Sequence, residues 1–381
     1  MPRIKILVVC NWPLGGIRTY LKYTYSYFPT DEFDITVLAS PTMEKEYLEN
    51  DMRSAGIKVV WAPLIMGKST LAIHVAFQLL RYRFHLIHSQ GFISAFHVSV
   101  VNWLFRLSHV MTVHGIFEEK YFHGKFGRLK RSLFAKAMKN INIFHGVSNG
   151  IMEHFRESFP DLEGEKTRWV IINHGILPAS FLEALPDAGK NLRSKLALDD
   201  RRSIFGFFGR FMPEKGIGYI IDAAAILKRK GYIDGFVILA VGSGDYEREY
   251  KIEIEKKGVN SYFRFLPFDP DVARIMKGCD AVLMPSVWEA WGLVACESLA
   301  AGVPLIASDC IGLREVIEHT PAIRIPPRDA SALALAMERV LANPDLKNTF
   351  QEFKEEAARR FDVKQSASKL IELFRHLYIS M

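Results

Sequence analysis

Short apolar runs alternate with longer amphipathic runs along the whole chain, and this constrains its fold more than any other feature. In the first half the strand-like runs fall near 4–10, 35–40, 58–62, 86–90, 109–114, 143–148 and 169–173. They are rich in Val and Ile and do not strictly alternate, as expected of strands buried on both faces of a parallel sheet. Amphipathic segments lie between them near 16–28, 43–55, 69–83, 93–106, 128–139 and 149–157. The second half repeats the theme, with strands near 203–209, 236–241, 263–266, 280–284, 304–308 and 322–325. Helices are expected there near 216–230, 246–257, 270–277, 292–301, 312–318, 329–342, 347–360 and 363–378. Repeated βα units predict an α/β chain of two doubly wound sheets with helices on both faces. A length of 381 residues suits two such domains. The polar, weakly periodic stretch 178–200 places the boundary at its start, giving domains 1–178 and 179–366.

Composition excludes several classes. With 49% hydrophobic and 24% charged residues the chain is not intrinsically disordered, and its 26 Gly and 17 Pro show no collagen-like period. Cys10, Cys279, Cys296 and Cys310 have no CxxC spacing, which predicts buried free thiols in a reducing compartment rather than a zinc site or disulfides. IKILVVC meets Asn11-Trp12-Pro13 and reads as a first strand, not a signal peptide. No run approaches a membrane span, so a cytoplasmic protein is expected. Residues 1–180 hold 21 Lys and Arg against 14 Asp and Glu, whereas residues 181–381 hold 28 of each. The whole excess of +7 thus lies in the first half, which could face an anionic surface or substrate.

In open α/β sheets ligands bind beyond the carboxyl ends of the strands, so the strand-exit loops carry the chemistry. Gly15-Gly16 follows the first strand and precedes a helix, where backbone N–H groups favour anions. A plain βα turn explains the pair equally well, and no GxGxxG is present to suggest a dinucleotide. Gly209-Arg210 and Lys215-Gly216 flank the loop after strand 203–209. An Arg fork and a Lys point charge beside a helix start suit a diphosphate, although solvated surface charges are the usual fate of both. The stretch Pro285–Glu297 is the most informative. Glu289 is expected in the loop and Glu297 inside the helix that Gly292 opens, with the N–H groups of Gly292, Leu293 and Val294 facing a ligand. Cys296, Leu299 and Ala300 give Glu297 an apolar setting, where a carboxylate needs hydroxyl or amide partners such as a sugar's. The loop Val241–Asp245 decides nothing by itself. His114 ends a strand, a place where a satisfied structural histidine is commoner than a catalytic one.

The segment 120–140 contains Lys120, Lys125, Arg128, Lys130, Arg131, Lys136 and Lys139 and no acid. Phe126, Leu129, Leu133 and Ala137 share one helical face; Lys125, Arg128, Arg131, Lys136 and Lys139 share the other, and Lys130 breaks the pattern. Such a helix either lies on an anionic membrane or packs on the sheet through its apolar stripe.

Together, Gly15-Gly16, His114-Gly115, Gly209-Arg210, Lys215-Gly216 and Glu289-(x)7-Glu297 resemble the retaining GT-B glycosyltransferases, the family of sucrose synthase, glycogen synthase and many bacterial cell-surface glycan enzymes. The resemblance covers most of the chain and is strongest over 206–316, including Pro285-Ser286 and Ala300–Pro304. It implies two Rossmann-like domains facing across a cleft, with the nucleotide sugar on the C-terminal domain and the acceptor on the N-terminal one. It also implies a last segment, about 367–381, that crosses back to the first domain. By this resemblance Arg210 and Lys215 hold the diphosphate and Glu297 bonds the ribose. Glu289, with the backbone at 290–294, contacts sugar and phosphates. Gly16 lies near the phosphates, His114 near the sugar, and Leu266-Pro267-Phe268 beside the base. Trp291 stands where the family usually has Phe. Asn173–Leu177 departs from the common Asn-Gly-Val-Asp pattern, so no role is carried to it.

The expected activity is transfer of a hexose from a UDP- or GDP-sugar to a glycan or lipid-linked acceptor, in cell-surface polysaccharide or glycoconjugate synthesis. The family implies retention, and front-face attack is the expected route because no first-half acid stands out as a nucleophile. No DxD-like pair follows a strand, so no metal or other cofactor is expected. An epimerase of the same fold, or a non-catalytic module binding a membrane or nucleic acid through the basic half, are the competing readings. Nucleic acid is not the expected partner, since such a module has no use for Arg210, Lys215, Glu289 and Glu297 together.

Overall fold

A computed structural model describes residues 3–380 of the chain other than 43–44, 66–67, 119–121, 163–167, 184, 186, 200–201 and 270. The chain divides into two compact units, Met1–Gly175 with Val363–Met381, and Ile176–Asp362.

In unit 1 the order is β1 (Ile4–Cys10), α1 (Gly16–Tyr25), β2 (Phe33–Ala39), α2 (Lys45–Ser54), β3 (Lys58–Trp61), β4 (Leu64–Ile65), β5 (Lys68–Ser69), α3 (Leu71–Arg81) and β6 (Leu86–Gln90). Then come α4 (Gly91–Phe105), β7 (Ser108–Val113), α5 (Gly127–Met138), β8 (Ile143–Gly146), α6 (Asn149–Ser158) and β9 (Arg168–Ile171). Seven strands pair in the order β3-β2-β1-β6-β7-β8-β9, all parallel. β4 and β5 form a separate antiparallel pair that the sequence pattern does not predict, because each is only two residues long.

Unit 2 runs α7 (Pro178–Leu182), α8 (Ala188–Lys195), β10 (Ser203–Phe208), α9 (Ile217–Arg229), β11 (Phe236–Val241), α10 (Glu247–Lys256), β12 (Phe263–Leu266), α11 (Val272–Lys277) and β13 (Ala281–Met284). It continues through α12 (Leu293–Ala300), β14 (Leu305–Ser308), α13 (Leu313–Ile317), β15 (Ile323–Ile325), α14 (Ala330–Ala342) and α15 (Leu346–Arg360). The sheet order is β12-β11-β10-β13-β14-β15, again parallel throughout. The last helix, α16 (Val363–Ile379), belongs to unit 1.

Parallel strands covered on both faces explain the near-continuous apolar runs. In β1, Ile6, Val8 and Cys10 pack on one side with Tyr20, Leu21 and Tyr25 of α1, while Leu7 and Val9 pack on the other with Leu71, Val75 and Val98 of α3 and α4. α16 completes the first side. Leu370, Ile371 and Phe374 join that core, and the Arg375 guanidinium donates to both Glu32 oxygens at 2.7 and 2.6 Å.

The division falls before Ile176 rather than after 178, and the returning segment starts at Val363 rather than 367. A backbone contact accounts for both shifts. The Ile176 amide donates to the Phe361 carbonyl at 2.8 Å, and Ile176 bridges Asp362, so the chain enters and leaves unit 2 at adjacent points. The polar, weakly periodic stretch holds α7 and α8. α8 buries only Ala188 and Leu192, one contact row, too little to show a period.

A polar chain crosses the unit 1 core. The His145 Nε2 can only donate to the Ile172 carbonyl (2.8 Å), so its Nδ1 accepts from the Thr112 hydroxyl (3.0 Å). Thr112 Oγ1 then accepts from His88 Nε2–H (2.6 Å), and His88 Nδ1 accepts from the Tyr25 hydroxyl (2.5 Å). All four side chains are buried. Burial lowers the pKa of both histidines, to about 4 for His145, and lifts that of Tyr25. Every member is therefore neutral near pH 7, and every proton in the chain points the same way.

Candidate active site

Strand order reverses between β10 and β13 in unit 2, the place where doubly wound sheets bind ligands. The loops leaving these two strands carry the residues singled out above. They are joined by backbone. The Val287 amide donates to the Glu214 carbonyl (2.8 Å) and the Glu289 amide to the Ile311 carbonyl (3.0 Å). Two glycines permit this closeness. A Cβ at Gly216 (φ +79°) would stand 2.1 Å from the Pro285 oxygen, and one at Gly312 (φ +76°) 2.1 Å from the Glu289 oxygen. The exits of β10, β13 and β14 thus make one platform.

Glu289 is buried on it. The Lys215 ammonium donates to both of its oxygens at 2.8 Å, and the Ser286 hydroxyl donates to Oε1 at 2.8 Å. Sequence reading gave Lys215 to a diphosphate and Glu289 to a sugar. The structure instead brings the two together, so Lys215 already has an anionic partner and an incoming phosphate would have to share it. Ser286 was not among the expected site residues. As a strand-exit hydroxyl three residues from the acid, it could have been inferred.

Arg210 differs from Lys215. It is exposed, and among the described residues its guanidinium has no hydrogen-bond or ion-pair partner. Gly209 before it holds φ +145°, with open space where a Cβ would be. Leu266 ends the edge strand β12, and its carbonyl accepts from the Gly242 amide at 3.0 Å, tying the β11 and β12 exits together.

Gly292 (φ +102°) caps α12. The first amide to bond back is that of Ala295, to the Gly292 carbonyl at 3.0 Å, so the amides of Gly292, Leu293 and Val294 precede the intrahelical ladder. Glu297 follows within α12 and is 6% exposed. No donor among the described residues reaches its carboxyl, and burial pushes its pKa up to about 8. A buried acid without a partner is costly unless it holds its proton or meets a hydroxyl-bearing ligand. Trp291 is buried.

In unit 1 the order reverses between β1 and β6. Gly15 (φ +52°) precedes α1, and Gly16 is exposed with nothing within 4 Å of its Cβ position. His114 follows β7, and its Nε2 lies 2.7 Å from Oε1 of Gln90, the last residue of β6. His114 stacks on His174 (centroids 5.3 Å) and meets Tyr20 edge-on at 5.0 Å. Burial, and secondarily His145, pushes its pKa down to about 3, so the ring is neutral at physiological pH. Gln90, His174 and Tyr20 were missed, although Gln90 occupies a strand-end position. Gln90 Nε2 and His174 Nδ1 are buried without a hydrogen-bond partner among the described residues. Among the described residues no group of three or more His, Cys, Asp or Glu could hold a metal ion.

The basic helix α5 departs from the packing alternative. Its Phe126, Leu129 and Leu133 stripe is exposed, and it docks through Phe134, which stacks on Phe96 of α4, and through buried Met138. Arg131 leaves the charged face to donate to the Ser158 carbonyl at 2.7 Å and lie over Phe159. Lys125, Arg128, Lys136 and Lys139 are exposed; Lys120 lies outside the described residues.

Residues 189–360 match the family described as glycosyl transferases group 1, and residues 14–179 match Glycosyltransferase Family 4. Unit 2 thus carries a group 1 glycosyltransferase domain, and unit 1 a Glycosyltransferase Family 4 domain. It is 29% identical over 225 residues to a D-inositol 3-phosphate glycosyltransferase of Corynebacterium urealyticum, covering 56% of this chain and 53% of that protein. It is 31% identical over 166 residues to a 2-deoxystreptamine glucosyltransferase of Streptomyces kanamyceticus, covering 42% of each. The chain spans about half the length of the curated relatives it matches. Among solved structures it is similar to Anabaena HepE in complex with UDP-glucose, with TM-score 0.82, 20% identity and coverage of 98% of this chain and 100% of that one. It is also similar to WaaG, a glycosyltransferase involved in lipopolysaccharide biosynthesis, with TM-score 0.74, 17% identity and coverage of 97% and 99%. The fold is thus the GT-B one of two Rossmann-like domains.

Proposed function

We propose that this glycosyltransferase moves a hexose from a nucleoside-diphosphate sugar, UDP-linked by preference, to a hydroxyl of a glycan or lipid-linked acceptor. The observation that carries this reading is the set at the β10/β13 exits: unpaired Arg210, Lys215 held by Glu289, and Glu297 buried without a donor. Ribose hydroxyls are the partners Glu297 lacks. The amides at 292–294 and Arg210 suit a diphosphate. The UDP and UDP-glucose complexes of the structurally similar HepE support the uridine base.

In the reaction the acceptor oxygen bonds to C1 as the C1–O bond to the diphosphate breaks. We favour attack on the face the diphosphate leaves, with the acceptor proton passing to a departing phosphate oxygen and configuration retained. Charge then builds on the nucleoside diphosphate, and Arg210 and Lys215 stabilise it in place of a metal. Glu289 fixes Lys215 and contacts the sugar. His114, neutral, offers a hydrogen bond rather than a proton. Gly16 leaves room for a phosphate on the acceptor-binding unit.

The test is a thermal-shift screen with UDP, GDP, ADP and their common sugars on wild type and Glu297→Gln, followed by product analysis. One nucleotide should raise Tm in wild type only. Arg210→Ala should then lower kcat/KM about a hundred- to a thousand-fold, and EDTA should leave turnover intact. No shift with any nucleotide overturns the reading, and a glycosyl adduct trapped on an acid overturns the front-face route.

A further inference from the structure

We propose that helices α3, α4 and α5 form a docking face for an anionic lipid surface. From Met52 to Phe117 the chain has no acid but carries Arg53, Lys58, Lys68, Arg81, Arg83 and Arg106. α4 has no charged residue, and α3 and α5 have basic ones only. The three helices are neighbours on one side of the unit 1 sheet.

Their outward rows are apolar. α3 shows Phe77 and Leu80, α4 shows Trp103 and Leu104, and α5 shows Leu129 and Leu133, each more than half exposed. α3 and α4 each precede a strand of one parallel pair, β6 and β7, so they run in the same direction. Leu80 and Trp103-Leu104 therefore lie at the same end of the layer, beside Arg81, Arg83 and Arg106. Exposed apolar rows on three neighbouring helices mark an interaction site. The occupant follows from charge. A second copy of this face would set basic rim against basic rim. An anionic headgroup layer takes the cations while the acyl boundary takes Trp103 and Leu104, the division of labour of an interfacial helix. α5 is one third of this surface rather than the whole of it.

The full chain is mixed with vesicles of phosphatidylcholine alone or with one third phosphatidylglycerol, and bound protein is measured by co-sedimentation over a salt series. Binding should favour the anionic vesicles and fall as salt screens the rim. Leu80→Ser with Trp103→Ser should weaken partitioning about tenfold, and Arg128→Ser with Lys136→Ser should make the salt dependence shallower, since the cations of α3 and α4 remain. Brominated lipid should quench tryptophan emission in wild type more than in Trp103→Phe, a reading that needs no destabilising change. The UDP thermal shift of these variants should match wild type, which keeps this proposal separate from the transferase reading. Equal binding to neutral and anionic vesicles overturns it. So does no binding to either, unchanged quenching in Trp103→Phe, or a dimer that Trp103→Ser dissociates.

Discussion

Glu297 sets a pH dependence whose sign can be worked out. Burial lifts its pKa from 4.5 to about 8. Between those values the folded chain keeps a proton that the unfolded chain has lost, so ligand-free stability falls as pH rises through this window and levels off above it. Glu297→Gln removes the penalty. Its Tm gain over wild type should be larger near pH ~8 than near pH ~5 by calorimetry, and an equal gain at both would refute the assignment. If ribose hydroxyls donate to the ionised acid, nucleotide binding near neutral pH should release a proton, read by titration calorimetry in buffers of different ionisation enthalpy. The unit 1 polar chain gives a second test. Thr112→Val leaves His88 Nε2–H and His145 Nδ1 buried without partners and should cost about 1–3 kcal/mol in urea unfolding. At this scale Glu297 was legible because Cys296, Leu299 and Ala300 announced its burial. The Lys215–Glu289 pair was not, because 74 residues separate partners that only the β10/β13 neighbourhood brings together. Gln90 belongs to no motif, and the histidine tautomers follow from bonds between three strands.

At the scale of elements, the strand-exit loops stand or fall on their glycines. Gly312→Ala drives a Cβ into the Glu289 carbonyl from a positive φ. It should cost more than about 2 kcal/mol, since left-handed backbone alone costs 1–2. Gly16→Ala meets open space and should leave Tm unchanged while raising KM for the donor, if a phosphate approaches there. A Tm loss in Gly16→Ala would show that the loop serves folding instead. Strands were legible because burial on both faces writes them as unbroken Val and Ile runs, as in β11. The face of α5 was not. A 3.6-residue period shows that a helix has two faces, and only its neighbours decide which one is covered. Here Phe134 and Arg131 turn it so that Leu129 and Leu133 look outward.

At the scale of the molecule, the two-sheet architecture was legible from the βα rhythm. The division was misplaced by a few residues because the signal at 176 is a backbone bridge, which no side-chain pattern records. That bridge between Ile176 and Asp362 means the chain is cut and rejoined at one spot. In gene-building terms, residues 176–362 are a cassette inserted into an otherwise continuous domain. A fragment of these residues should melt cooperatively alone and keep the UDP thermal shift, and a fragment that stays unfolded would show that the ends need their host. If the cassette stands alone, one crossover pair could exchange it whole while the host domain is inherited unchanged.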